Sequence, residues 1–534
     1  MSTVSNIVYI GRMHKFCKYD DKTTQSEVAL NYLERIGYNV EKLSHRMVKA
    51  NVDAGYLSLA KYGRPQPNIN PFYKKCATKM LAQCVKGIGD SRVDHNFENL
   101  TRLCTASSSP GFPWNSRYTK KKDLFKDHSY QSYWEWWHKM RMQGYRLPVV
   151  FSNAVKSELV SLEKILKNAV RTYTAGPVQI TMEGYCYFSD QNQKLIQEAN
   201  ALHTPILSGY QKFALGWHKL YNQLNRFPNA GMMDISSYDS GCFLEAFQEV
   251  YRIRKSNIRA DHLTEEVSRG IDQYLLDIVN TYILCDGGEI VQKTTGNPSG
   301  QFNTISDNSM ILTWAWFYAY VVLKPVEYNS SWYDFKENIE LYVCGDDSIY
   351  TVSDEIRDWF YPAAIQEIFQ NHFGWKFKIE TPCFMKLDET EFCSMSWSKN
   401  GHRIFPAPST SKVLSSLVYK RKHESLRMDF LRGCALRIES WYSKELRGIL
   451  NGYLQYMMDN FYHEMVALPI TESDPFSFED VQSSYLSAYE IENIYIGGEN
   501  HNVSLQPIEF VVSASSSEYP ILNGLLTQIS SFDE

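Results

Sequence analysis

Residues 340–352 read ELYVCGDDSIYTV. Two apolar segments flank Gly345-Asp346-Asp347, the pattern of a β-hairpin closed by a tight glycine turn. The hairpin Leu341–Val352 therefore sets two adjacent carboxylates at a strand tip. Such a pair is costly unless positive charge sits beside it. Mg²⁺ is the natural partner, because it takes oxygen ligands while keeping waters and substrate phosphates. Taken alone, the same three residues also fit a solvated turn.

Outward from this hairpin, three further elements carry polar chemistry. In Met232-Met233-Asp234-Ile235 an apolar strand delivers Asp234 at its end, and Asp239 follows five residues on, past a Ser-Ser turn. Acids from two separate strands can clamp two metals ~3.5–4 Å apart, the arrangement for in-line phosphoryl displacement. Gly296-Asn297-Pro298-Ser299-Gly300 is a loop able to bring backbone close to a ligand. Thr304 and Asn308 follow at i, i+4, on one face of the helix that begins there, and offer a hydroxyl and an amide to a sugar hydroxyl. Lys156-Ser157-Glu158-Leu159, then Lys164, Lys167 and Arg171, supply cations suited to a triphosphate. Each element by itself has a plainer reading: capped turns, an N-capped helix, a basic helix face.

The charge is unevenly spread. The 534-residue chain is net −5, yet residues 471–534 hold eleven Asp or Glu and no Lys or Arg, so the rest carries +6. Within 117–171, twelve Lys or Arg face five acids, a local +7. Concentrated basicity is the electrostatic footprint of a polyanion partner or, equally, a solvated Lys-rich surface. The eleven cysteines are odd in number and form no Cys-x-x-Cys pair, which signals neither a disulfide framework nor a paired-cysteine zinc site. Reduced thiols and an intracellular setting are expected. No signal peptide is read at the N-terminus. The longest apolar run, Met310–Leu323, is shorter than the ~20 residues of a membrane span and predicts a buried core helix in a soluble protein. Helical patterning is expected over 182–228, 243–283, 302–323, 355–373 and 411–466. A second hairpin is expected over 284–294, around Asp286-Gly287-Gly288. Interleaved strands and helices point to α+β.

Together and in this order, the four elements resemble the RNA-dependent RNA polymerases of positive-strand RNA viruses, in the group that includes picornavirus, sobemovirus and astrovirus polymerases. The resemblance rests on the basic segment (Lys156, Glu158, Lys164, Arg171), Asp-x4-Asp (Asp234, Asp239), Ser-Gly-x3-Thr-x3-Asn (Ser299, Gly300, Thr304, Asn308) and Gly-Asp-Asp. Residues 107–113 resemble that family's template-entrance loop, and 391–395 stand where its primer-grip hairpin does, without the basic residues many relatives have there. The resemblance spans about 105–400.

It implies a right hand whose palm is an antiparallel sheet packed against helices, with an N-terminal segment bridging fingers to thumb. The implied divisions are 1–222 N-terminal segment and fingers, 223–253 and 291–400 palm, 254–290 fingers insertion, 401–470 thumb and 471–534 acidic C-terminal segment. It implies that Asp234 and Asp346 bind two catalytic Mg²⁺ ions (Mn²⁺ the alternative), with Asp347 in support. Asp239, Ser299, Thr304 and Asn308 would recognise the incoming nucleotide's ribose, with Gly300 also nucleotide-binding; Lys156, Lys164 and Arg171 would handle its triphosphate. A general-acid lysine is left open among Lys376, Lys378 and Lys386. The implied partners are template and nascent RNA, nucleoside triphosphates and other viral replication proteins. The implied location is the host cytoplasm, at membrane-associated replication complexes reached through those partners. Three competing readings stay open: a reverse transcriptase, a non-catalytic RNA-binding protein on the same scaffold, and a metallo-hydrolase.

Overall fold

In the computed structural model the described residues are 5–13, 24–48, 52–156, 158–167, 169, 171–378, 382–420, 424–471 and 474–497. At the centre lies a three-stranded antiparallel sheet. Asp347–Val352 is the middle strand, between Ile339–Cys344 and Asn229–Asp234. The hairpin read from 340–352 is thus present, and its turn is Gly345-Asp346. Gly345 has φ +63°, and a Cβ there would meet nothing within 4 Å, so it is backbone conformation rather than space that favours glycine.

Behind the sheet runs the helix Thr304–Leu323, buried on all sides from Ser306 to Val321. A helix apolar all round belongs in a core, and its neighbours supply one. Trp316 packs on Tyr350 of the sheet at 4.6 Å between ring centroids and on Phe369 of the helix Pro362–Phe373 at 5.7 Å. Trp314 packs on Phe243 and Phe373. Among the described residues, no helix is long and apolar enough to cross a membrane.

A second sheet has five strands in the order Ile7–Arg12, Glu289–Lys293, Tyr282–Leu284, Val150–Val155, Thr172–Ala175. Its inner pair is the hairpin expected over 284–294, with Gly288 at φ +92° in the turn. A third layer is helical: Thr410–Val418, Leu426–Glu439 and Lys444–Ala467. The N-terminal residues strap these layers together. Ile7–Arg12 and His45–Met47 pair with strands on the five-stranded side, whereas Thr24–Gln25 pairs with Tyr419–Lys420. The helix Glu27–Arg35 buries Ala29, Tyr32 and Leu33 against Leu414, Leu450 and Tyr453.

Several expected helices are interrupted. The stretch 182–228 holds Val178–Asn200 and Gly216–Leu224, with irregular chain between; 243–283 breaks into Leu244–Ser256 and Glu265–Val279; and 355–373 is helical only over Pro362–Phe373. Apolar periodicity persists across such breaks because both pieces bury one face in the same core.

The basic window needs correcting. Arg141 is fully buried and bonds Glu183 at 2.9 Å and Asp277 at 2.6 Å, with Arg146 on the other Asp277 oxygen at 2.6 Å. Its neutralising acids lie outside 117–171, so the +7 overstates the surface charge. The acidic segment is also partly built in. Phe478 and Val481 enter the core of the helical layer, Asp474 pairs with the buried Arg427 at 3.1 Å, and Tyr495 donates its hydroxyl to the Ile438 carbonyl at 2.7 Å. Glu472, Glu499, Glu509, Glu518, Asp533 and Glu534 lie outside the described residues.

Candidate active site

The register of the central sheet decides what meets at its open end. Asp347 stands opposite Asp234, and Asp346 occupies the adjacent turn. Three carboxylates therefore share one rim. The turn is held from behind: the Gly345 N–H donates to Ser309 Oγ at 2.8 Å, from the buried helix Thr304–Leu323. The Cys393 N–H donates to Asp347 Oδ2 at 3.0 Å, from a tight turn in which Cys393 and Ser394 both have positive φ. Residues 391–395 thus brace the carboxylate rim.

Among the described residues, one ammonium pairs with acids of this rim. Lys378 Nζ lies 2.5 Å from Asp234 Oδ1 and 3.7 Å from Asp346 Oδ2. Of the three lysines left open by the sequence, this one reaches the rim; Lys376 is exposed, and the Lys386 N–H donates to Glu389 at a helix start. Burial opposes the Lys378 charge, but Asp346 and Asp234 outweigh it and raise its pKa. Crowding shows in the acids as well. Burial, then Asp346 and Asp234, push the Asp347 carboxyl up to about 7. Asp234 is raised by burial, with Asp346 adding and Lys378 opposing. An excess of oxygen ligands over positive charge fits a hard divalent cation such as Mg²⁺ or Mn²⁺.

Beside the rim lies an amide network. Asn308 Nδ2 donates to Asp239 Oδ1 at 2.6 Å, while its own oxygen accepts from the buried Asn297 at 2.9 Å. Gln301 bonds Asn297 and Asp307, and Asp307 pairs with Arg254 at 2.8 Å. These bonds fix the Asn308 amide with its NH₂ toward Asp239. The loop before the helix is tied on both sides. Asn297 N–H donates to the Asp239 carbonyl at 2.7 Å and Gly300 N–H to the Thr174 carbonyl at 3.2 Å. A Cβ on Gly300 would sit 2.6 Å from that carbonyl oxygen, which excludes any other residue without backbone movement. The Thr304 hydroxyl is spent on the loop, donating toward the carbonyls of Gln301 at 2.9 Å and Pro298 at 3.1 Å. Ser299 is half-buried.

The basic residues gather around Glu158, which is buried. Its Oε2 lies 3.5 Å from Lys156 Nζ and 3.5 Å from Arg171 Nη1. Arg171 leads into the strand Thr172–Ala175, the strand that Gly300 contacts, so the basic group and the loop share one support. Lys164 is exposed and acts on Asp234 through space.

Sequence reasoning missed Lys61 and Arg64. Lys61 Nζ is 3.4 Å from Thr172 Oγ1, and Asp239 and Arg171 are its charged neighbours; burial lowers its pKa against Asp239. Arg64 donates to the carbonyls of Ser236 and Ser237 at 3.0 and 3.1 Å and clamps the turn between the two acids of that element. Both come from a Pro/Gly-rich stretch more than 170 residues upstream, and no local pattern marks them.

Comparison with known proteins gives a consistent picture. Residues 30–500 match the family described as viral RNA-dependent RNA polymerase. The chain is 26% identical over 425 residues to genome polyprotein 1 of Barley mild mosaic virus (strain Na1), covering 78% of this chain and 18% of the polyprotein. It is also 26% identical over 381 residues to the genome polyprotein of Blackberry virus Y, covering 70% of this chain and 10% of the polyprotein. The chain thus spans a fifth or less of the length of these relatives. A Sicinivirus 3Dpol RNA-dependent RNA polymerase structure superposes with a TM-score of 0.67 at 14% identity, covering 90% of this chain and 99% of that one.

Proposed function

As this chain belongs to the family of viral RNA-dependent RNA polymerases and has the α+β right-hand fold, we propose that it extends an RNA 3′-hydroxyl on an RNA template. Ribonucleoside triphosphates are the substrates and pyrophosphate is released. The observation that carries this reading is the sheet register that sets Asp347 opposite Asp234 with Asp346 in the turn, three acids against Lys378.

Asp234 and Asp346 would hold the catalytic divalent ions, with Asp347 in support, and two Mg²⁺ bound there would supply Lewis-acid stabilisation of charge at the reacting oxygens. The rest falls to the chain itself. Lys378, which the acids keep protonated, donates a proton from Nζ toward the departing pyrophosphate. Asp239 and Asn308 read the ribose hydroxyls, and their mutual bond at 2.6 Å aligns both for the task. Gly300 lets backbone approach the sugar, Ser299 adds a hydroxyl beside it, and Thr304 keeps the loop in shape. Glu158 aims Arg171 and Lys156 at the triphosphate, where the guanidinium fork suits phosphate oxygens; Lys164 adds charge at the mouth. Sequence is read by base pairing, so template affinity is dominated by phosphate contacts and falls steeply with salt. The chain works in the host cytoplasm, in replication complexes that other viral proteins tether to membranes.

Purified chain, an RNA template with an annealed RNA primer, Mg²⁺ and either ribo- or deoxyribonucleoside triphosphates test this reading. Extension with ribonucleotides is expected. Preference for deoxyribonucleotides would instead indicate a reverse transcriptase, and RNA binding without extension in Mg²⁺ or Mn²⁺ a non-catalytic binder.

A further inference from the structure

One side-chain cluster outside the carboxylate rim has no part in that chemistry. His95 lies just before the helix Phe97–Leu103, His138 sits in the helix His128–Met142, and Cys186 in the helix Val178–Asn200. His95 Nδ1 is 3.0 Å from His138 Nε2 and 3.3 Å from Cys186 Sγ, and Sγ is 3.7 Å from His138 Nε2. Ligands of a tetrahedral zinc, at about 2.0–2.1 Å for nitrogen and about 2.3 Å for sulfur, stand about 3.3 Å apart for an N–N pair and about 3.6 Å for N–S. The triangle has close to those dimensions.

Hydrogen bonding alone leaves the triangle short. His138 Nδ1 faces Glu183 Oε1 at 3.2 Å, and Arg141 keeps Glu183 ionised. Nδ1 therefore carries the proton, and Nε2 turns its lone pair to the cluster. The three contacts of the triangle then share at most the Cys186 thiol hydrogen and one ring hydrogen of His95. A metal uses all three lone pairs at once. The Glu183–His138 contact is also the carboxylate–histidine arrangement that orients metal ligands. His138 and Cys186 are buried, whereas His95 reaches the surface, so a fourth position would open to solvent on that side.

We infer that His95, His138 and Cys186 form a zinc site that staples three separate segments, the chain before Phe97–Leu103 and the helices His128–Met142 and Val178–Asn200. Its role is positional. The helix carrying Cys186 also packs Gly184 against Phe302 and bonds Asn192 to Asn303 at 2.8 Å, directly under the loop that leads to Thr304.

The test measures zinc by mass spectrometry in the purified full chain, in His95→Ala, in Cys186→Ser and in Asp346→Asn. The inference expects one zinc per chain in the wild type and in Asp346→Asn, and a loss to near zero in the other two. His95 is exposed, so His95→Ala folds, and chelation lowers the melting temperature of the wild type but not of this variant. Exchange into Co²⁺ gives a thiolate charge-transfer band that Cys186→Ser abolishes. Substoichiometric zinc in the wild type, zinc retained by His95→Ala and Cys186→Ser, or zinc lost on Asp346→Asn would overturn it.

Discussion

Around Arg141, two carboxylates meet two guanidiniums: Glu183 at 2.9 Å, Asp277 at 2.6 Å, and Arg146 on the second Asp277 oxygen. At the tip of the central hairpin, Asp234, Asp346 and Asp347 meet one ammonium, Lys378. The first group is internally neutral and buried apart from Arg146, which reaches the surface, and its charges, balanced by hydrogen bonds, hold three helices in place. The second is partly open and, among the described residues, has more negative charge than its ion-pair partner offsets. Balanced charge marks structure; unbalanced charge, held rigidly at an opening, marks a place prepared for something positive. The two regions should therefore fail in opposite ways.

The largest effect expected is at the rim. Asp234→Asn should lower nucleotide incorporation by on the order of 10³-fold, while thermal unfolding without metal shows unchanged or higher stability, since one repelling charge is gone. Primer extension and a melting curve on the same preparation check both halves. Arg141→Met should do the reverse. It leaves Glu183 and Asp277 buried without their main partner and costs about 3 kcal/mol of stability, read by urea denaturation. If Arg141→Met were neutral and Asp234→Asn unfolded the chain, the distinction would collapse.

Lys378→Leu sharpens the comparison. It should slow incorporation on the order of 10²-fold, as for loss of a general acid. It should also lower the melting temperature in metal-free buffer, with Mg²⁺ restoring it, because the cation replaces the missing ammonium. A metal-independent loss of stability would place Lys378 with the structural ion pairs. The smallest effect is one of selectivity. Asn308→Ala should raise deoxyribonucleotide use relative to ribonucleotide by about tenfold, since a donor to the sugar side is removed; competition between paired substrates measures the ratio.

The rim was legible because its parts are local in sequence. A hairpin, a strand end and a loop-to-helix junction each show in a dozen residues or fewer, and Asp234, Asp239, Asn308 and Asp346 could be named from them. What was hidden depends on long-range closure. Nothing near Lys378 distinguishes it from Lys376; the sheet register does. Arg141 counts as surface charge until Glu183 and Asp277 arrive from segments 42 and 136 residues away. His95, His138 and Cys186 carry no spacing signature because each comes from a different element. In the acidic segment the signal was present but outweighed by charge. Ser477/Asp480 and Ser487/Glu490 form capping boxes, and Ile491 and Tyr495 are spaced i, i+4 on the buried face of the helix that follows.

The central claim is that the unbalanced carboxylates perform the chemistry. Its most direct test compares wild type and Asp346→Asn on one RNA template with ribonucleotides and Mg²⁺, after melting curves and RNA binding have been matched. The account predicts full-length product from the wild type and none above background from the variant. Equal extension by both proteins would contradict it.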